Sequence, residues 1–366
     1  MTRRHFIHRL LMASAGALST GLMPACMRGT MTVEDPKIEN HYRSLNGKSM
    51  RDITAQRRHH GNGRFLNPFS DASWGKPGRV LQWKLFSKNR FKSFYSEEPT
   101  RPVSIDWAPI MAENGLSITY VKHATILIKD IDTYILVDPI FGDIFWFIED
   151  FSPLSFNPSA IPLADYVLIT HGHYDHLDLP SLSVAAPQAH VLTPLGYESE
   201  FASLRTKSHR EMDWYDRHFE NGREFVFLPC NHWTMRNPVV GPNKGLWGSY
   251  LIRTRFGATI YVAGDTGYFD GFDQIGEEFD IDLAIFNLGA YEPRWFMAPS
   301  HMNPVETVKA FQKLRAQRLM IVHWGTFRLG DEPVHFPPRD LKTALDDAGL
   351  GHRLVDLQHG QTFKFV

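Results

Sequence analysis

The sequence has 366 residues, of which 43% are hydrophobic and 22% are charged, and its formal net charge is −1. This composition is typical of a globular protein with one large domain or two ordinary ones, and the balanced charge argues against a nucleic-acid-binding protein. The two cysteines, Cys26 and Cys230, exclude a disulfide framework and a four-cysteine zinc module. Histidine is in unusual supply, with 18 residues.

Residues 1–26 have the character of an export signal, with a basic start, a mildly apolar middle and small residues near the end. The stretch "TRRHFI" at residues 2–7 resembles a twin-arginine signal. The apolar run is too short and too rich in serine and glycine for a good membrane span. Cys26 is either a lipid-attachment cysteine or lies near an ordinary cleavage point. We therefore predict an exported protein, located in the periplasm or associated with the membrane of a bacterial cell envelope.

Residues 27–100 show little regular periodicity and many turn formers, which predicts an irregular N-terminal extension. Within it, residues 74–92 carry six basic residues and no acidic one, interleaved with aromatic and aliphatic residues. Such a segment suits an anionic lipid surface. It also suits the solvated face of a helix that packs on the main domain, and the sequence leaves both interpretations open.

Strand-like runs rich in β-branched and aromatic residues recur from residue 116, with helical stretches between some of them. In the clearest helical stretch, residues 303–317, Asn303 is a candidate N-cap and Glu306 has the spacing of a capping box. Many strands with helices outside them predict a layered α/β domain. We assign this domain to residues 101–366.

The nine residues "THGHYDHLD" at 170–178 place three histidines and two aspartates at the end of a strand-like run. Strands that end at one edge of a sheet bring the residues that follow them together, and further candidates stand at the ends of other runs. Imidazole and carboxylate groups are the ligands that zinc takes when thiolates are scarce. Seven ligands exceed the need of one tetrahedral ion and suit two ions that share a carboxylate. The candidate ligands are His171, His173, Asp175, His176, His232, Asp265 and His323.

This cluster resembles the metallo-β-lactamase superfamily, whose fold is a four-layer αβ/βα sandwich. Between about Arg64 and Leu345, several motifs resemble the branch of N-acylphosphatidylethanolamine-hydrolysing phospholipase D. They are "HATILI" (123–128), "PCNHWTMR" (229–236), "LWGSY" (246–250), "AGDTGYF" (263–269), "GAYEPRWFM" (289–297) and "VHWGTF" (322–327). The sequence departs from that pattern at Lys122, where the family usually has glycine, and in residues 141–158.

The resemblance implies a binuclear zinc hydrolase, with His171, His173 and His232 on one zinc ion. Asp175, His176 and His323 would lie on the other, and Asp265 would bridge the two. Two cations lower the pKa of a bridging water, which gives a hydroxide that attacks a phosphodiester. Cleavage of N-acylphosphatidylethanolamine would then release phosphatidic acid and an N-acylethanolamine. Asp175, Asp265 and His301 are the catalytic candidates that the resemblance provides.

Other residues near the motifs allow two interpretations each. His301 is either a residue near the substrate phosphate or a loop histidine with a local hydrogen bond, and His123 either orients a ligand or is a buried structural residue. Asp138 ends a strand-like run and is a candidate for holding the ligands in place, whereas Cys230 is not expected to bind metal. Three residues could line the pocket or belong to the core and rim: Arg294, Trp295 and Phe296. The aromatic stretch at 141–151 is core by default, and an acyl-chain groove or a membrane-facing lip is the more specific alternative.

The predicted function is therefore a zinc-dependent phosphodiesterase that acts on a phospholipid at or near a membrane surface. The same two-metal centre could instead hydrolyse a lactone or a β-lactam. A nuclease is disfavoured because the exported chain is mildly acidic and shows no basic, aromatic platform for nucleic acid. A non-enzymatic metal-binding protein of the envelope is the third hypothesis, and a homodimer is compatible with all three.

Overall fold

The computed structural model describes residue 45 and residues 47–70 and 77–365. The predicted export signal, with Arg3, Arg4 and Cys26, lies outside the described residues, as do Trp74 and Lys76 of the basic segment. Among the residues that are described, none of the helices has both the length and the apolar character needed to cross a membrane.

The first sheet has seven strands, in the spatial order β13-β1-β2-β3-β4-β5-β6. The pairs from β3 to β6 are parallel, whereas β1 is antiparallel to both β2 and β13, and β2 is antiparallel to β3. The strands are β1 (Leu116–Lys122), β2 (Thr125–Asp130), β3 (Thr133–Val137), β4 (Tyr166–Leu168), β5 (His190–Pro194), β6 (Ser208–Met212) and β13 (Thr362–Lys364).

The second sheet has six strands, in the order β12-β11-β10-β9-β8-β7. The strands β10, β11 and β12 are parallel to one another, and the pairs from β7 to β10 are antiparallel. They are β7 (Arg217–Glu220), β8 (Arg223–Leu228), β9 (Ser249–Arg253), β10 (Thr259–Val262), β11 (Leu283–Asn287) and β12 (Arg318–Val322).

The described residues form nine α-helices. They are α1 (Met50–Ala55), α2 (Pro77–Phe86), α3 (Trp107–Met111), α4 (Leu179–Ala185), α5 (Glu198–Phe201), α6 (Gly271–Glu278), α7 (Arg294–Met297), α8 (Pro304–Leu314) and α9 (Phe336–Asp347). Three short 3₁₀ helices, Lys92–Glu97, Pro158–Ala160 and Gly351–Arg353, lie between these elements.

The main core lies between the sheets and depends on the two-residue period of the strands. In β2, Ile126 and Ile128 face the second sheet, whereas Leu127 faces α4 on the outside. On the other side, α6, α8 and α9 pack beside one another, and α8 lies against β11. The predicted four-layer αβ/βα sandwich is therefore confirmed.

Among the strands that run in one direction, seven have a polar residue of the candidate centre at or just after their carboxyl ends, which lie at the same edge of each sheet. In the first sheet they are β1, β3 and β4, because two antiparallel steps separate β1 from β3. In the second sheet they are β8, β10, β11 and β12, for the same reason. Each of these strands is followed closely by, or ends on, a polar residue of the candidate centre described below: His123, Asp138, His171, His232, Asp265, Asn287 and His323.

Helix α8 begins with the predicted capping box. Asn303 Oδ1 accepts a hydrogen bond from the Glu306 amide at 2.9 Å, and Glu306 Oε2 accepts one from the Asn303 amide at 3.0 Å. These two bonds satisfy amide donors that the first turn of a helix otherwise leaves unpaired.

We expect Asn303→Ala to lower the free energy of unfolding by about 1 kcal/mol, because it removes the cap. Val305→Ala, on the exposed side of the same turn, is the matched control and should change it by less than about 0.5 kcal/mol. Urea denaturation of the two variants and the parent chain measures both values. Equal midpoints for all three proteins would contradict the capping assignment.

Candidate metal centre

The segment at residues 170–178 leaves β4 and turns through the middle of the site before α4 begins. Asp178 caps α4, since its carboxylate accepts a hydrogen bond from the Ser181 amide at 3.0 Å. This cap fixes where the segment ends. His171 and His176 are buried, while His173 and Asp175 are partly exposed towards the open side of the site.

Three histidines form the first ligand group. His173 Nδ1 lies 2.9 Å from His171 Nε2 and 3.2 Å from His232 Nε2. The carboxylate of Asp265 completes this group, with Oδ2 at 3.9 Å from both His171 Nε2 and His232 Nε2. The structure thus brings together the three histidines that the resemblance places on one ion.

The second group surrounds the carboxylate of Asp175. Its Oδ2 lies 3.5 Å from His176 Nε2 and 3.4 Å from His323 Nε2, as the resemblance implies. His123 joins this group, because its Nε2 lies 3.1 Å from the same oxygen. His123 therefore faces the centre directly, and the sequence interpretation gave it only an orienting or structural role.

Asp265 lies between the two groups and offers an oxygen to each. Its Oδ2 lies 3.4 Å from His176 Nε2, and its Oδ1 lies 3.4 Å from His323 Nε2. Asn287, the last residue of β11, donates a hydrogen bond from Nδ2 to Oδ1 at 2.8 Å and so fixes the carboxylate plane. This is the bridging position that the resemblance implies for Asp265.

Hydrogen bonds on the outer side of the rings decide which nitrogens face the centre. Asp138 Oδ2 accepts from His176 Nδ1 at 2.8 Å and from the Thr170 hydroxyl at 2.6 Å. The Thr170 oxygen lies 3.0 Å from His171 Nδ1, and the Ser300 carbonyl oxygen lies 3.1 Å from His232 Nδ1. In each case Nδ1 is the donor, and the lone pair of Nε2 is left for the centre.

Protonation of the groups follows from burial and from their neighbours. Burial lowers the pKa of His171 and His232 well below the ordinary range and that of His173 to about 4. Burial also raises the pKa of Asp265, but the facing imidazoles of His323 and His176 outweigh it and hold that pKa well below its usual value. His176 differs because two carboxylates face it, and against burial they raise its pKa, so that a cation bound there would displace a proton from Nε2.

This arrangement fits a divalent cation in each group. Around His173, the inward lone pairs of His171 Nε2 and His232 Nε2 both face its Nδ1 at about 3 Å. A neutral His173 has at most one proton on Nδ1, which can serve only one of the two, so that at least one lone pair has no donor. In the second group, His176 Nε2 and His323 Nε2 are buried and make no hydrogen bond to any described residue. A cation satisfies these nitrogens, and the set of imidazole and carboxylate donors is one that zinc accepts.

His301 lies at the open side of the centre. Its Nδ1 lies 3.8 Å from Asp265 Oδ2, and its ring lies next to those of His232 and His323. Arg294 holds this loop, because its Nη1 donates to the carbonyl oxygen of His301 at 2.9 Å while its Nη2 pairs with Glu306 at 2.7 Å. Arg294 is therefore a support of the loop.

Neighbouring residues of the "GAYEPRWFM" and "PCNHWTMR" motifs lie outside the two groups. Met297 forms a small cluster with Ala290 and with Trp83 of α2, and Trp295 and Phe296 pack against that cluster. Cys230 is buried, with its Sγ at 3.5 Å from the backbone oxygen of Asp265 and outside both groups of candidate ligands.

The residues 142–150, which we call the rim loop, lie beside the centre. Phe145 packs edge-on against Tyr174, which stands between His173 and Asp175 in the sequence, with ring centroids 5.3 Å apart. Trp146 and Phe147 are 82% and 63% exposed, while the flanking Phe141 and Phe151 are buried. The default interpretation of the whole aromatic stretch as core therefore holds only at its two ends.

A further group of ligand-type residues was not found from the sequence. His59 Nε2 and His60 Nε2 lie 2.6 and 2.8 Å from the two oxygens of Asp213. Arg57 donates to His60 Nδ1 at 3.2 Å, so that Nε2 of His60 carries the proton that bonds Asp213. This is the pattern of a hydrogen-bonded clasp that ties the N-terminal segment to the domain.

Asn67, a few residues after the clasp, reaches the metal centre from outside. Its Nδ2 donates to the carbonyl oxygen of His232 and to Asn231 Oδ1, both at 2.9 Å. Asn231 in turn donates to the carbonyl oxygen of Tyr268, close to Asp265. Residues before position 101 therefore contribute to the support of the centre.

Comparison with known proteins identifies relatives of this chain. The sequence profile of the Beta-lactamase superfamily domain matches residues 133–324. The chain is 30% identical over 315 residues to the N-acyl-phosphatidylethanolamine-hydrolyzing phospholipase D 1 of Caenorhabditis elegans, covering 78% of this chain and 86% of that protein. It is 33% identical over 242 residues to the mitochondrial protein of that name from Saccharomyces cerevisiae, covering 62% of this chain and 51% of that protein.

A solved structure with the same fold is the isothiocyanate hydrolase from Delia radicum gut bacteria. It superposes with a TM-score of 0.56 at 17% sequence identity, and the match covers 68% of this chain and 99% of that one. At this identity the similarity concerns the fold alone.

We expect the purified protein to contain about two equivalents of divalent metal, and His323→Ala to contain about one, because this change removes a ligand from the second group only. His352→Ala changes an exposed histidine of a 3₁₀ helix and should keep the parent content. Elemental analysis after dialysis gives all three values. One equivalent in the parent chain, unaltered by His323→Ala, would contradict the assignment of two sites.

Proposed function

Because the chain belongs to the metallo-β-lactamase superfamily, in its branch of N-acylphosphatidylethanolamine-hydrolysing phospholipase D relatives, we propose that it is a binuclear zinc phosphodiesterase that acts on phospholipids. The predicted family is confirmed by the profile match and by these relatives. The chain is thus a metal-dependent hydrolase, and the metal identity, the number of ions and the lipid substrate form the proposal.

The position of Asp265 is the observation that carries the proposal. Oδ2 of this carboxylate lies near the rings of His171, His176 and His232, and Oδ1 lies near that of His323. Such a shared carboxylate suits two cations held side by side, and a single-ion site has no need of it. When bound, the cations would supply a nucleophilic water at neutral pH and would neutralise charge on a phosphate.

The protein groups have separate tasks in this proposal. His171, His173 and His232 hold one cation, while Asp175, His176 and His323, with His123 beside them, hold the other. Asp138 and the carbonyl of Ser300 keep the imidazoles oriented, since they fix the protons on the outer nitrogens. His301, at the open side near Asp265, is placed to donate a hydrogen bond to a phosphate oxygen of the substrate.

A lipid substrate is supported by exposed apolar and basic residues of the rim loop, of α2 and of the segment after α2. Trp146 and Phe147 are exposed beside Tyr174, and α2 exposes Leu85 and Phe86, which are 64% and 78% accessible. Lysines and an arginine follow α2 at positions 88, 90 and 92. Exposed aromatic and aliphatic side chains next to basic ones are typical of proteins that work at an anionic membrane surface. We therefore propose that the enzyme takes its substrate from a membrane.

We expect the zinc-loaded enzyme to hydrolyse N-acylphosphatidylethanolamine in vesicles. Asp265→Asn should lower the rate by roughly a hundredfold or more, because outer-sphere changes at metal sites already cost 10- to 100-fold. Asp347→Asn, the same change at an exposed position, should retain the parent rate. Phosphatidic acid release measures the three rates. Turnover of a lactone or a β-lactam with no turnover of any phospholipid would replace the proposed substrate class.

For the cellular location, we propose export by the twin-arginine route, which carries folded and metal-loaded proteins. Changing both Arg3 and Arg4 to lysine should leave the protein in the cytoplasm, because the route reads the arginine pair. The single change Arg9→Lys, within the same segment, is the control and should not alter export. Cell fractionation decides between the outcomes, and an unchanged distribution of the double variant would contradict this location.

A further inference from the structure

A buried lysine lies beside the metal centre and has no part in the chemistry described so far. Lys122 is the last residue of β1 and precedes His123, and its side chain is 0% exposed. Its Nζ lies 2.5 Å from Asp150 Oδ2 and 5.4 Å from the centre of the Phe327 ring. A buried ammonium group is costly unless it is paired, so that Asp150 is required where it stands.

Asp150 is the last residue of the rim loop, and several bonds hold it beside the segment that follows His323. Its Oδ1 accepts from the Ser152 amide at 2.9 Å, and the Phe151 amide donates to the carbonyl oxygen of Thr326 at 2.8 Å. An isolated β-bridge pairs Asp150 with Phe327. The carboxyl end of the rim loop is therefore fixed, and Lys122 supplies the only charge partner that the described residues offer to Asp150 within 4 Å.

The other end of the rim loop is held through Phe141, whose amide donates to Ser181 Oγ at 2.8 Å. Between the two ends, Phe145 rests on Tyr174 at 5.3 Å and stacks on Phe147 at 5.4 Å. Trp146 packs edge-on against Phe147. The exposed aromatic side chains thus stand next to the ligands only while both ends of the loop stay in place.

We propose that the Lys122–Asp150 ion pair holds the rim loop against Tyr174, and that in this way it makes the enzyme selective for substrates with long apolar chains. The second half of this inference rests on the proposed function. The ion pair also joins the two places where the sequence departs from the family pattern, Lys122 and residues 141–158, in one contact. Lys122 is a positioning residue here, since it acts through the loop.

The test compares three variants with the parent chain. Lys122→Met and Asp150→Leu each leave one buried charge without a partner, and their combination replaces the pair by two apolar side chains. The double variant should keep the stability of the parent, because apolar replacements of a buried ion pair are often neutral, and it should keep the metal content. Lys313→Met, which breaks the exposed pair with Asp273, is the control.

Hydrogen exchange of the amides in residues 142–149 reports the loop directly. In the double variant we expect exchange at least about tenfold faster than in the parent chain, and no change in the control. For a long-chain phospholipid in vesicles, KM should rise at least about fivefold. For a short, soluble phosphodiester, kcat/KM should stay within about twofold, a split that a general loss of structure does not produce.

Unchanged exchange in the rim loop of the double variant would show that the Lys122–Asp150 ion pair does not hold the loop. Equal losses on the two substrates would overturn its role in selectivity. A parent enzyme that hydrolysed no phospholipid would contradict both the proposed function and the selectivity. Faster exchange in the double variant would then still support the role of the ion pair in holding the rim loop.

Discussion

The repulsion between inward-facing imidazole lone pairs is the constraint on which the centre depends. His171 Nε2 and His232 Nε2 lie at about 3 Å from His173 Nδ1, the outer nitrogens of His171 and His232 are hydrogen-bonded, and burial lowers the pKa of all three rings. A cation that binds both lone pairs removes this repulsion. The same requirement explains the rest of the polar network, because Asp138, Thr170 and the Ser300 carbonyl serve to keep the rings turned inward.

The convergence of these side chains requires unfavourable backbone conformations. His123, Asp138 and His323 have φ values of 50°, 41° and 76°, a region that residues with a side chain rarely adopt. Each of the three comes directly after a strand, where the chain turns sharply to keep its side chain at the centre. Hydrogen bonds between the turns stabilise them, for example the bond that the His323 amide donates to the carbonyl oxygen of His123 at 2.7 Å.

The sequence predicted the ligands that follow clear strands, since strand ends on one edge of a sheet are close in space. His123 was not predicted as a ligand, because residues 116–129 resemble a single strand in the sequence. The turn at His123 contains no glycine or proline that would have indicated it. The exposure of Trp146 and Phe147 could not be predicted from the sequence either, because composition does not distinguish exposed aromatic residues at the rim of a site from aromatic residues of the core. The clasp of His60 with Asp213 spans 153 positions, a distance that no local pattern covers.

The support given by Asn67 has a consequence for how much chain such a centre needs. All seven candidate ligands lie inside the stretch of 133–324 that matches the superfamily profile. That stretch nevertheless lacks β1, β2 and β13. It also lacks His123 and Asn67, which donates a hydrogen bond to the carbonyl oxygen of His232. Transfer of the matched stretch alone into another protein would carry the ligands without the frame that brings them together. The structural unit that supports the centre in this chain is accordingly larger than the matched stretch, and it includes Asn67.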